Sequence, residues 1–236
     1  MHTIEIPSYA IERARSRRGR LNPFEHIEPA RTALVVVDLQ NGFMAPGQPA
    51  EIAPAREIVP NVNRLAAATR AANGTVVWIQ NTITPESERA WSVYLDYFAD
   101  SDWGPRMRQA FTPGDFGHQL YPGLDVRPGD LQVRKYRFSA LVQGASDLDA
   151  VLRARGIDTV IIVGTATNVC CESTARDAMM LNYKVFFMSD ANACRTDEEH
   201  NATLAILMGM FADVRSTEEM IELLRRHAVP VAGAAE

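Results

Sequence analysis

Apolar residues recur along this chain in short unbroken runs, separated by stretches with helical spacing. ALVVV (33–37) is apolar at every position and stops abruptly at Asp38. A run without polar alternation is the pattern of a strand covered on both faces, as in a parallel sheet. TVVWIQ (75–80), DLQVRK (130–135), TVIIVG (159–164), KVFFMS (184–189) and ADV (212–214) predict further strands. From Arg56 to Ala72, the spacing of Ile58, Val62, Leu65, Ala66 and Thr69 predicts a helix that Gly74 ends. DLDAVLRARG (147–156), a segment from about Cys170 to Asn182 and a last one near 217–227 predict more helices. Thr196 and Glu199 have the spacing of a capping box for another.

Residues 81–128 break the alternation, with Trp91, Tyr94, Tyr97, Phe98 and Trp103 among prolines, glycines and carboxylates. An aromatic insertion of that length in a compact domain suits a lid or binding loop. Residues 1–30 read as an N-terminal arm closed by Pro29, 31–228 as one domain and VPVAGAAE (229–236) as a loose tail. Strands alternating with helices predict an α/β fold, a three-layer α/β/α sandwich around a mainly parallel, doubly wound sheet. Ligands in such sheets sit beyond the carboxyl ends of the strands, which is where chemistry is sought.

Composition narrows the picture. Of 236 residues, 47% are apolar and 22% charged, the balance of a globular protein with a large core and not of a disordered, collagen-like or coiled-coil chain. The sequence has no apolar run of membrane-spanning length, and its N-terminal stretch carries no apolar signal region. Three cysteines, two adjacent, are no disulfide framework, so the expected compartment is the cytoplasm. The net charge of −5 argues against nucleic acid, yet residues 11–20 hold five arginines and one glutamate. With no aromatic residue interleaved to stack bases, that segment reads as an arm lying across an acidic surface of its own or a neighbouring subunit.

Three reactive side chains end or follow the apolar runs: Asp38, Lys135, and Cys170 after the short turn TATNV. A thiol at a helix start gains from the helix dipole and free amides, which favour thiolate. A carboxylate can shuttle its proton and an ammonium can stabilise negative charge, the equipment for acyl transfer through a thioester. Each has a plain structural reading as well: a turn-capping Asp, a solvated lysine in RKYR, a small core cysteine. Cys171 lines up with Ala175, Ala178 and Asn182, a mostly small stripe suited to helix–sheet packing, so Cys170 is the expected nucleophile of the pair.

VVVDLQNGF (35–43), VRKYRFSAL (133–141) and GTATNVCCESTARDA (164–178) resemble the signature segments of the isochorismatase-like cysteine hydrolases, and the likeness runs in order from about residue 31 to 225. That superfamily includes nicotinamidases, N-carbamoylsarcosine amidohydrolase and ureidoacrylate amidohydrolases. The resemblance implies a catalytic triad of Asp38, Lys135 and Cys170, a cis peptide at Thr165–Ala166, and an oxyanion hole from the amides of Ala166 and Cys170. It implies no cofactor. Nicotinamidases add a metal site built on histidines after the second strand; here that stretch is NTITPESERAW, so no metal is expected. His2, His26, His118, His200 and His227 are scattered and read as surface or structural residues. Where the family carries Phe after Ser-Ala, this chain has Leu141, expected to alter one pocket wall.

QNTIT (80–84) resembles the ureidoacrylate-type segment whose Asn meets the substrate amide, which makes Asn81 a binding candidate beside its alternative as a turn former. Trp91, Tyr94 and Phe138 are the other candidate substrate contacts, and Tyr97 is a possible wall. The implied function is cysteine-dependent hydrolysis of a C–N bond in a small amide, carbamoyl or ureido compound, by a homo-oligomer (dimer or tetramer) without nucleic-acid or membrane partners. The alternatives are vinyl ether hydrolysis of the isochorismatase kind, which needs no nucleophile, and a redox-sensing or binding role for the Cys170–Cys171 pair.

Overall fold

The computed structural model describes residues 1–99 and 102–227, and the tail at 229–236 lies outside the described residues. After α1 (Ser8–Arg18) the chain enters β1 (Thr32–Val37), buried at every position. A single turn, α2 (Asn41–Met44), and a 3₁₀ turn at Ala53–Arg56 lead to α3 (Val59–Ala71). This helix starts later than its spacing predicts, with Pro60 in the first turn, where a missing N–H costs nothing. β2 (Thr75–Asn81) follows.

The insertion predicted as irregular contains three short helices, α4 (Pro85–Ala90), α5 (Ser92–Tyr97) and α6 (Trp103–Ala110). The first is announced by a complete capping box between Thr84 and Ser87 with Pro85 at its first position. β3 (Leu131–Lys135), α7 (Leu148–Ala154) and β4 (Thr159–Thr165) come next. A wide π-type turn, Thr167–Cys171, precedes α8 (Glu172–Met180), so the helix proper begins after Cys170. β5 (Lys184–Ala193), α9 (Asp197–Met210), β6 (Asp213–Arg215) and α10 (Thr217–His227) complete the described chain. Thr196 accepts from the Glu199 amide at 3.2 Å, one half of the predicted capping box.

Among the described residues the strands form one parallel sheet in the order β3-β2-β1-β4-β5-β6. Successive residues alternate between its faces. Leu34, Val36, Val76, Trp78, Ile161 and Phe186 pack with α3 and α10. Val35, Val37, Val77, Ile79, Ile162 and Phe187 pack with α7, α8 and α9. Each such side chain contributes about 1.5–3 kcal/mol on burial, which accounts for the unbroken apolar runs. The strand order reverses between β1 and β4, and that switch opens a crevice at their carboxyl ends.

Two local features shape the crevice. β5 runs four residues past Ser189, the predicted stop, through a bulge that the polar Asn192 fills: its amide donates to Ile162 O at 3.0 Å and Met188 O at 2.7 Å. Gly164 has φ +125, and a Cβ there would lie 2.1 Å from Val37 O, so only glycine lets the end of β4 come this close to β1.

The N-terminal segment folds against its own subunit. Ala10 and Ala14 are buried, Arg18 donates to Met208 O at 2.8 Å, and Arg17 reaches Met210 Sδ at 3.2 Å. These arginines meet the carbonyl end of α9, the negative pole of its dipole, and not the acidic surface expected from charge balance. The buried carboxylate of Asp213 is the acidic anchor, accepting from Asn22 Nδ2 and the Phe24 amide. No helix among the described residues is long and apolar enough to cross a membrane.

Candidate active site

Asp38 follows β1 directly, in the left-handed region at φ +56. Lys135 ends β3, and Cys170 sits in the turn after β4. The three strand ends bring these side chains together beneath the surface. Lys135 Nζ lies 2.8 Å from Asp38 Oδ2, with both side chains fully buried, and 3.5 Å from Cys170 Sγ. It also donates to Arg137 O at 3.0 Å and to Asn81 Oδ1 at 3.4 Å. The RKYR segment is therefore no uniform solvated face, because the alternation of β3 exposes Arg134 and buries Lys135. Neither Asp38 oxygen receives a well-aligned hydrogen bond, so Lys135 approaches the carboxylate as an ion partner and leaves it lone pairs for a proton.

The electrostatics correct one expectation. Burial pushes the Cys170 thiol up to about 12; Lys135 pulls the other way, and Asp38 adds to the rise. The resting group is a thiol, not the thiolate expected at a helix start, and α8 begins only at Glu172. Burial also lifts Asp38 above the ordinary carboxylate range, against the pull of Lys135, which strengthens it as a base. For Lys135, burial works downward, but the neighbouring Asp38 and Cys170 raise it overall, so it stays charged. Cys170 lies within hydrogen-bonding reach of the Asp38 carboxylate. Cys171 is also fully buried, packed with Ala175 and Ala178, while Asn182 leaves the predicted stripe and is exposed at φ +70.

The Thr165–Ala166 bond is cis. In the turn that follows, the amides of Val169 and Cys171 both donate to Ala166 O at 3.1 Å. The turn has Ala166 at its N-terminal edge and Cys170 near its end. Both residues line a cavity of about 180 Å³, the space of roughly six waters, which sets the scale of a small ligand.

Asn81, Trp91, Tyr94 and Phe138 all line this cavity. Trp91 and Tyr94 stack at 4.6 Å, and the Phe138 ring meets both edge-on at 4.7 and 5.0 Å. Tyr97 does not belong to the wall; it is 81% exposed. Leu141 lies in the core beneath the sheet and so alters no pocket wall. The backbone of Asn81 is gripped from both sides by Gln40, whose Oε1 accepts from the Asn81 amide at 2.7 Å and whose Nε2 donates to Asn81 O at 3.1 Å. Gln40 was legible only as part of the DLQNGF segment. Arg195 also lines the cavity, a residue that the search at strand ends could have flagged, since it follows β5.

The histidines are less scattered than their sequence positions suggest. His2, Cys194 and His200 converge, with their candidate ligand atoms within 4.8 Å of one another. The two rings stack at 4.4 Å with 17° between their planes, so their in-plane lone pairs run side by side instead of meeting. Every ring nitrogen already has a hydrogen-bond partner, which makes the cluster a latch and not a chelate.

The chain is similar to known proteins over most of its length. The sequence model of the isochorismatase domain matches residues 32–219. The uncharacterized isochorismatase family protein YwoC of Bacillus subtilis is 34% identical over 200 residues, covering 85% of this chain and 97% of that protein. Ureidoacrylate amidohydrolase RutB of Pseudomonas syringae pv. syringae is 34% identical over 200 residues, 80% of each chain. Among solved structures, a cysteine hydrolase from Pseudomonas syringae pv. phaseolicola superposes with a TM-score of 0.75 at 28% identity, over 88% of this chain and 98% of its own. N-carbamoylsarcosine amidase from Thermoplasma acidophilum gives 0.63 at 26% identity, over 80% and 97%.

Proposed function

The chain belongs to the isochorismatase family, and on that premise we propose that it is a cysteine hydrolase cleaving the C–N bond of a small carbamoyl or ureido compound that carries a carboxylate. The observation that carries this reading is the meeting of Asp38, Lys135 and Cys170, with Asp38 and Cys170 at 2.8 and 3.5 Å from the Lys135 ammonium and Cys170 lining the cavity.

At neutral pH a thiol near 12 ionises about once in 10⁵, a cost of roughly 7 kcal/mol, so attack through a standing thiolate is slow. Asp38 instead takes the thiol proton as Cys170 Sγ bonds to the carbonyl carbon. The carbonyl oxygen becomes an anion that the Ala166 and Cys170 amides hold in this reading, donors of the kind whose loss costs roughly 2.7–4 kcal/mol of barrier. Asp38 returns the proton to the leaving nitrogen, the C–N bond breaks and a thioester remains. Water, deprotonated by Asp38, then releases the acid and restores the thiol. Lys135 holds Asp38 ionised and in place throughout.

Arg195 and the aromatic wall supply the substrate class. The compounds that name the relatives, a ureidoacrylate and a carbamoylsarcosine, join a carbamoyl group to a carboxylate, and Arg195 is the cation among the cavity-lining residues described. The triad favours this chemistry over nucleophile-free vinyl ether hydrolysis. A redox-sensing role for the Cys170–Cys171 pair runs against their burial and their raised thiols. Ammonia release across a panel of carbamoyl and ureido acids, with their neutral methyl esters alongside, tests the reading. The acids are expected to turn over, the esters poorly, and Cys170→Ala not at all. Undiminished release by Cys170→Ala refutes the nucleophile, and preference for the esters refutes the carboxylate.

A further inference from the structure

The family match begins at residue 32, yet the start of the chain reaches the back of the site. His2 Nδ1–H donates to Asp197 Oδ1 at 2.7 Å, and its Nε2 accepts from the Cys194 amide at 3.1 Å. The side chain is 4% exposed. Residues next to it are clamped to α9: the Glu5 amide donates to Asn201 Oδ1, and Asn201 Nδ2 donates to Thr3 O, each at 2.8 Å. The strap therefore presents His2 in one pose, with its tautomer fixed by the carboxylate of Asp197.

The ring of His2 covers that of His200 at 4.4 Å. His200 is fully buried and spans two elements: Nε2–H donates to Ser189 O at 2.9 Å, and Nδ1 accepts from the Thr167 hydroxyl at 2.9 Å. Thr167 opens the π-type turn and lies between Ala166 and Cys170, two cavity-lining residues whose amides are the oxyanion donors of the function proposed above. One unbroken set of contacts thus runs from residue 2 to the turn that aims the nucleophile.

We propose that His2 is a positioning residue of the site: by stacking on His200 and accepting from the Cys194 amide, it holds the 166–170 turn in the geometry that presents the oxyanion donors and Cys170. Its catalytic consequence rests on the function proposed above, whereas its structural half does not. Without the ring, one face of His200 and the Cys194 N–H open to water, and the Thr167 bond loses its backing. Small displacements of a nucleophile or its oxyanion donors cost large factors in rate.

His2→Ala and His2→Gln separate the possibilities, since a Gln amide can donate to Asp197 and accept from Cys194 as the imidazole does. Hydrogen exchange followed by mass spectrometry reads the turn without any substrate. His2→Ala is expected to speed exchange in the peptide covering 165–171 while β1 exchanges as in the wild type. Its kcat is expected to fall about tenfold with KM changed less than about threefold, and His2→Gln to recover most of both. Local loosening of the turn in a protein that turns over no panel compound would still support the inference and would count against the proposed function. Wild-type exchange and kcat in His2→Ala would overturn it, as would acceleration spread evenly through β1, the mark of a merely structural role.

Discussion

The sheet-side wall of the cavity is made from three strand ends, whereas the opposite wall is made from α4, α5 and α6. On the sheet side, Asp38, Lys135 and Cys170 hang from strands whose ladders and two covered faces leave little freedom, and a fully buried ion pair is held at 2.8 Å. On the helical side, helices of six to eight residues are held by side chains such as Trp91 against Phe138, and Val93, Tyr97 and Phe98 stay exposed. Bond-making chemistry needs positions fixed to fractions of an ångström, and the proposed function sets it on the rigid wall. Recognition of a ligand body tolerates adjustment, and the same proposal sets it on the wall that can adjust.

Three substitutions would break or sharpen that division. Asp38→Asn has the largest expected effect, a loss of about 10²–10⁴ in kcat with the circular dichroism of the fold retained. What remains should rise with pH by about tenfold per unit through the neutral range, since a buried thiol raised toward 12 is still mostly protonated there. Near wild-type turnover would take the chemistry off the sheet wall. Trp91→Ala should raise KM by up to about tenfold, the worth of its ring contacts, with kcat within about threefold. An equal loss in kcat would show that the helical wall takes part in the bond-making step. Smallest of all is Cys171→Val, expected to keep activity within about threefold and to cost less than about 1.5 kcal/mol in urea unfolding, because a small buried group replaces another.

The same contrast explains what could be read from the sequence. ALVVV ending in Asp38 and TVIIVG leading to Cys170 announce both the strand and the polar group near its end, because the middle of a strand covered on both faces is apolar. The helices α4 to α6 are too short for a periodic signal, and their cavity partners Phe43, Phe138 and Arg195 come from distant parts of the chain. The extension of β5 beyond Ser189 is hidden because the polar Asn192, which plugs the bulge, has the residue type of a turn. The protonation of Cys170 was misjudged for a physical reason: helix-start stabilisation is a local property, whereas desolvation depends on everything packed around the thiol. His2 and His200 gave no sign of meeting, since no local pattern reports the stacking of an N-terminal strap on a later helix.

The depth of Cys170 also bears on how the protein meets reactive small molecules. Peroxides and general alkylating agents act on thiolates they can reach, and a residue 5% exposed with its proton held to about 12 offers little of either. Slow reaction of Cys170 with oxidants that inactivate exposed low-pKa cysteines is therefore expected, and surveys with non-selective cysteine probes are expected to pass over it. A covalent inhibitor would have to be recognised first, by occupying the space between Trp91 and Arg195, and only then present its electrophile to a sulfur that Asp38 can deprotonate.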